Sequence, residues 1–264
     1  MDERLLARLL REACERHDVS IRALSDGWLL ELEKDGKKRR VLGTEFGVND
    51  QAASAIAKDK VATSTILERA AIDHVSHRLL TSHGSGFNKS LLSDMLATGP
   101  AVVKPLQGSH GVGVALATTI ESAWHIIERS GILAWAVSPY YDVAFETRVV
   151  VLDGTVRLAY KKVDPVIMNG LKFFNLHVGA KAVAVDIDEL GENYARLATD
   201  VVDALGLSMA AVDIITDTNG TLSVLEVNSA FSLNRFAQSG GKALAMTTRF
   251  YDEVVSSMFK PAGL

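Results

Sequence analysis

The chain has little with which to cross-link, anchor or export itself. Its single cysteine, Cys14, excludes an internal disulfide, and no His and Asp pattern near it marks a catalytic thiol. A reducing, cytoplasmic setting fits that usage best. Residues 1–11 mix acids and bases with leucines, so neither an export signal nor a membrane span is expected. Basic charge is scarce as a block. Lys37, Lys38, Arg39 and Arg40 are the one notable run and the formal net charge is -4, so nucleic acid is not the expected partner. That run follows Asp35-Gly36 and reads as the charged tip of a hairpin, with no function assigned. Internal repeats and low-complexity segments are also missing.

What is present suits a compact α+β protein. The 264 residues are 48% hydrophobic and 23% charged, enough to bury a substantial core and too apolar for disorder. Leu5, Leu6, Leu9, Leu10 and Ala13 recur at helical spacing, and stretches 28–33 and 40–42 flank Asp35-Gly36 as hairpin arms. Asn49-Asp50 then precede one or two helices through Ala70, which carry Lys60. From Ala101 come a strand over 101–105, a glycine loop over 108–113, a strand over 114–116 and a helix over 119–129. Beyond Trp135 the patterning predicts strands over 135–137, 147–152, 156–163, 211–216 and 222–227, with helices over 190–205 and 242–258. The divisions expected are a shortened N-terminal region over 1–58, a lobe with the glycine loop over 59–134 and a lobe with a metal site over 135–264.

Two constellations carry chemistry. The first is Lys104-Pro105 at a strand end, followed by Gly108, Ser109, His110, Gly111, Val112 and Gly113. A lysine leaving a strand neutralises phosphate oxygens, and glycines let backbone N–H groups approach them. Neither G-x-x-x-x-G-K-[ST] nor the dinucleotide fingerprint is present, and a glycine-rich hairpin turn is the other reading. In the second, Glu226 and Asn228 are two apart on one strand, so both point to one face, where Asp213 of the neighbouring strand can join them. Such oxygen donors suit Mg²⁺ bound together with substrate phosphates. The alternative, a solvated polar strand face, fits poorly with Val224, Leu225 and Val227, which indicate burial. His74, His77 and His83 show no metal-ligand spacing, so zinc is not expected.

Taken in order, Asp59-Lys60, Val103-Lys104-Pro105, the glycine loop, Val137 to Asp142, Glu146-Thr147-Arg148, Asn175-Leu176-His177, Asp213 and Glu226-Val227-Asn228 resemble the ATP-grasp superfamily, and within it the RimK-like carboxylate–amine ligases. The resemblance implies an ATP-grasp fold with a shortened N-terminal domain, since fifty-nine residues precede Lys60. It implies ATP held through Lys60, Lys104, Gly108, Ser109, His110, Gly111 and Gly113, with adenine against the backbone of Pro139, Tyr140 and Tyr141, ribose on Glu146, and Asn175 near the phosphates. Two Mg²⁺ ions, replaceable by Mn²⁺, would fall on Asp213, Glu226 and Asn228. Arg148 and either Lys161 or Lys162 would face the transferring phosphoryl group, the two lysines pointing to opposite strand faces. The implied reaction activates a carboxylate as an acyl phosphate and joins it to the amine of an amino acid or peptide. A kinase acting on a small molecule and a non-catalytic ATP-binding module are the alternatives. Ser138-Pro139 and Ser229-Ala230-Phe231-Ser232 depart from the family pattern, and Phe231, Asn234, Arg235 and Gln238 are either acceptor-pocket residues or a surface loop. The chain is expected to act without a membrane, alone or as a homo-oligomer.

Overall fold

The computed structural model describes residues 4–81, 86–108 and 111–260. The chain opens with α1 (Leu5–Arg16), whose Leu6, Leu9, Leu10 and Ala13 form one buried stripe. An antiparallel sheet follows, built from β1 (Ser20–Leu24), β2 (Leu29–Lys34) and β3 (Lys37–Leu42). Asp35 and Gly36 make the turn at φ of 50° and 74°. The basic run is therefore strand β3 itself and not the tip of the hairpin. Lys38 and Arg40 pair with Glu33 and Glu31 of β2 at 3.5 and 3.1 Å, the cross-strand compensation that an exposed edge strand permits. Two helices come next, α2 (Gln51–Lys58) and α3 (Lys60–Arg69), each started by its own cap. Asp50 accepts from the N–H groups of Ala52 and Ala53, and Asp59 from those of Val61 and Ala62. The second cap fixes Lys60 in the first turn of α3.

A four-stranded antiparallel sheet in the order β4-β7-β5-β6 combines β4 (Arg78–Thr81), β5 (Ala101–Pro105), β6 (Ala115–Ala117) and β7 (Ala134–Pro139). Helices α4 (Gly86–Leu96) and α5 (Ile120–Arg129) pack on it through a cluster that includes Leu92, Val103, Ile127 and Trp135. Thr119 and Ser122 cap α5 reciprocally. Because β7 pairs with both β4 and β5, this lobe runs through Pro139, beyond the expected boundary at 134.

The second large sheet uses β8 (Val143–Leu152), β9 (Thr155–Val163), β12 (Lys181–Val185), β13 (Met209–Asp217) and β14 (Leu222–Asn228). Their order is β12-β9-β8-β13-β14, and every pairing is antiparallel. The short hairpin β10 (Val166–Met168) and β11 (Leu171–Phe173) leaves β9, α6 (Glu192–Ala204) precedes β13, and α7 (Asn234–Ala237) and α8 (Gly241–Phe259) close the chain.

Alternation along β8 and β13 divides the apolar residues. Val149, Val151, Val212 and Ile214 face a core shared with α2, α3 and α6. Val150, Leu152, Tyr160 and Ala211 face a core shared with α1, α8 and the three-stranded sheet. The region 1–58 thus has no core of its own. Phe231 lies in this second core with its ring 6.0 Å from that of Phe250, so it packs inside and does not face an acceptor pocket. Cys14 is buried there too, and burial pushes its thiol up to about 11, which makes it inert. Among the described residues no helix is long and apolar enough to cross a membrane.

Asn49 ties the N-terminal region to the start of β13. Its Oδ1 accepts from the N–H groups of Ser208 and Met209 at 2.9 and 2.8 Å, and its Nδ2 donates to the Met209 carbonyl at 2.8 Å. Asn49→Ala leaves two backbone donors unpaired and is expected to lower unfolding stability by about 2–3 kcal/mol, read as a reduced urea midpoint at unchanged slope.

Candidate active site

The face of the five-stranded sheet that begins with Leu152 and Val150 changes character along β8. Two further steps of two residues bring Arg148 and then Glu146 to the same side. Arg148 stands opposite Asp213 of β13 on one side and Tyr160 of β9 on the other, while Glu146 stands opposite Lys162. Arg148 donates from Nε to Asp213 Oδ1 at 2.7 Å and from a terminal nitrogen to Oδ2 at 2.5 Å. Lys162 donates to Glu146 and lies 3.1 Å from Asp213 Oδ1. Asp213 is fully buried, and Lys162 and Glu146 nearly so. Two cations and two carboxylates are therefore packed side by side out of water.

Burial and pairing pull against each other here. Burial raises the Asp213 carboxyl, but Arg148 and Lys162 overcome it and hold the group ionised, below the usual carboxylate range. Burial dominates at Glu146 and, despite Lys162, lifts it to about 7. On the next strand Glu226 stands opposite Asp213, and Asn228 Nδ2 reaches Glu226 Oε1 at 3.3 Å and Asp213 Oδ2 at 3.5 Å. The structure thus brings Asp213, Glu226 and Asn228 together on one face.

A cleft between the two large sheets meets this cluster at Glu146 and Glu226, which line both. Lys60, Lys104, Gly108, Gly111 and Asn175 line the same end. Lys60 Nζ lies 3.3 Å from the Gly108 carbonyl, so α3 and the glycine loop meet at that ammonium. Lys104 is buried at the end of β5. Desolvation, partly offset by Glu226 and reinforced by Lys60, brings its ammonium down to about 8. Gly111 and Gly113 have φ of 72° and 75°, and a Cβ on Gly113 would sit 2.9 Å from Pro105 Cγ, so the turn admits only glycine there. Ser109 and His110 lie outside the described residues. Pro139, Tyr140, Tyr141 and Val143 line the far end with Leu171 and Phe173.

Two readings that the sequence left open are decided on this geometry. Lys161 belongs to the opposite strand face, where its ammonium rests 4.6 Å from the Phe145 ring centroid, so Lys162 alone of the pair joins the cluster. Glu146 lines the cleft and is also engaged by Lys162 beside Asp213. Asp142 lies nearer the hinge in sequence, exposed and bonded to Lys172 at 2.6 Å. Arg235 is exposed on α7 and lines no part of the cleft. His77, dismissed on spacing, is buried in a small cavity that Lys60 also lines. Its signal was not a motif but its place after the Lys60 helix, which spacing rules do not weigh.

Hard oxygen donors at Asp213, Glu226 and Asn228 match Mg²⁺, although both Asp213 oxygens already contact cations of the chain. Among the described residues no group of three or more His, Cys, Asp or Glu is placed to hold a metal, so the amide of Asn228 has to complete any such set.

Residues 57–248 match the RimK-like ATP-grasp domain. The chain is 29% identical over 215 residues to a probable alpha-L-glutamate ligase of Marinomonas sp. (strain MWYL1), covering 78% of this chain and 66% of that protein. It therefore spans just under two thirds of that relative. A bifunctional glutathione synthetase from Pasteurella multocida superposes with a TM-score of 0.63 at 16% identity, covering 98% of this chain and 44% of the other. The ATP-grasp ligase PsnB, solved with minimal precursor, Mg and ADP, superposes with a TM-score of 0.59 at 17% identity over 81% of this chain and 62% of the other.

Free Lys104 loses its proton near pH 8 and nucleotide phosphates favour the ammonium, so ADP binding is expected to take up protons and to weaken as pH rises through about 8. Calorimetry in buffers of differing ionisation enthalpy measures that uptake, and Lys104→Met is expected to abolish it. The matched domain and the fold together establish that the chain belongs to the RimK-like ATP-grasp family.

Proposed function

We propose that the chain is an ATP-dependent carboxylate–amine ligase. The carrying observation is one cleft end that gathers Lys60, Lys104 and Glu226 against the buried Arg148–Asp213–Lys162–Glu146 cluster. This arrangement offers cations for phosphates and oxygen donors for a divalent ion, with no nucleophilic side chain among them.

In this reading Lys60, Lys104 and the glycine-loop N–H groups hold the ATP phosphates, and Asp213, Glu226 and Asn228 hold Mg²⁺. When bound there, the ion would supply charge neutralisation for the phosphates. A substrate carboxylate oxygen attacks the γ-phosphorus, the bond to the β–γ bridging oxygen breaks, and ADP leaves. The amine nitrogen then attacks the acyl carbon, phosphate departs, and the amine proton is lost. Arg148 and Lys162 neutralise charge on the transferring phosphoryl group, worth most in a water-poor site. Because the curated relative is named a probable alpha-L-glutamate ligase, L-glutamate is the first amine to supply. A kinase reading is separated by its products, since it yields ADP without free phosphate.

With Mg²⁺-ATP, L-glutamate and a panel of amino acid and peptide carboxylates, ADP and phosphate are expected in equal amounts, with a product lighter than its two parts by one water. Asp213→Ala is expected to lower turnover by at least about a thousandfold. Retained ATP consumption in that variant would sink the metal assignment. Lys162→Met is expected to lose most activity, whereas Lys161→Ala retains it to within about threefold.

A further inference from the structure

Behind Lys60 lies a second, much smaller cavity, bounded by α3, the segment 72–77 and β14. Lys60 and Glu226 line both this cavity and the cleft, so they form the wall between them. The segment is clamped on both sides. Val75 N–H donates to the Val224 carbonyl at 2.8 Å, Val224 N–H returns to Asp73 at 3.0 Å, and His77 N–H donates to Ser64 Oγ at 3.0 Å. Ser64 is one turn beyond Lys60 on the same face of α3. The ring of His77 is thereby carried to the Lys60 side.

That ring is 3% exposed, and its Nε2 has no hydrogen-bond partner. The Val75 carbonyl accepts from the ring, and with Nε2 unpartnered the donor is Nδ1, which leaves Nε2 a lone-pair acceptor. Burial first, then Lys104 and Lys60, depress its basicity to about 2, so the imidazole is neutral. A buried acceptor without a donor is unfavourable. Lys60, whose ammonium lies 3.3 and 3.5 Å from two carbonyls, lines the same cavity and has an N–H left to give.

We propose that His77 is a positioning residue for the nucleotide site: with nucleotide bound, its free Nε2 receives an ammonium N–H of Lys60 and aims that charge at the phosphates. The inference rests on the nucleotide reading of the cleft. Calorimetry of Mg²⁺-ADP binding tests it. His77→Leu is expected to weaken binding about tenfold, the size of one hydrogen bond to a charged group, while His77→Gln, which keeps an acceptor, stays within about threefold. In a Lys60→Met background the His77→Leu penalty is expected to vanish. An equal penalty in both backgrounds, or coupling to Lys104→Met instead, overturns the proposal. Absence of nucleotide binding by the unaltered protein overturns the underlying reading. Should His77→Leu not fold, the ¹⁵N resonance of His77 Nε2 in the unaltered protein decides: an upfield shift on nucleotide saturation supports the contact, and an unchanged resonance overturns it.

Discussion

The burial of four charges on three adjacent strands constrains everything around them. Arg148, Asp213, Lys162 and Glu146 satisfy one another only while β8 keeps its present register with β9 and β13. A slip of one residue would turn this row into the apolar layer under α6 and bring Thr147 and Val149 to the cleft. Removing water from four charges is expensive, and pairs of this kind seldom add net stability over apolar replacements. The cluster is therefore better understood as a preset charge pattern than as a fastening. In the proposed reaction its cations exchange a carboxylate for a phosphate, with little rearrangement of the strands that carry them.

The remaining layers keep that pattern dry on one side and open on the other. Along the same sheet face, Tyr160 marks the border. Its ring stacks on Phe236 at 4.4 Å, and beyond it Val150, Leu152 and Met209 disappear under α8, α1 and the N-terminal sheet. Asn49 fastens the start of the α2–α3 pair to the chain entering β13, so the helix presenting Lys60 is tied to the strand presenting Asp213. The four-stranded sheet then supplies Lys104 from across the cleft. The helix carrying Lys60 and the strands carrying Arg148, Asp213 and Glu226 share one apolar cluster, whereas Lys104 stands on a strand anchored in another.

Much of this was legible in the sequence, for physical reasons. Strands β8, β9, β13 and β14 and helices α6 and α8 are long enough for periodicity to declare itself, and the Asp50 and Asp59 caps explain why the 49–70 stretch forms two helices. The convergence of Asp213, Glu226 and Asn228 follows from alternation on neighbouring strands. Strands β4, β10, β11 and β12 have three to five residues, too few for a pattern, and were not anticipated. The Lys37–Arg40 run was placed at a turn because charge there usually is, whereas Glu31 and Glu33 on the paired strand allow it to be a strand. Phe231 went astray for the same reason. Position relative to a motif says which strand a residue occupies, not which partner claims its side chain.

The hinge shows how the departures from the family pattern resolve. Pro139 ends β7 and has no N–H to offer, and the Tyr140 N–H is taken by the Pro100 carbonyl at 2.9 Å. Tyr141 is thus the first residue of the hinge whose N–H is not committed to one of those two constraints. Just beyond, Lys172 of β11 donates to Asp142 at 2.6 Å and to the Val143 carbonyl at 2.9 Å, binding the β10–β11 hairpin to the hinge. Phe173 on that hairpin in turn lies against Gly111, where a Cβ would come within 3.1 Å of its ring. The hairpin therefore bridges the hinge and the glycine loop. Pro139 removes one hinge donor and leaves this bridge intact, so of residues 139–141 it is Tyr141 whose N–H is left for the adenine contact that the proposed function needs.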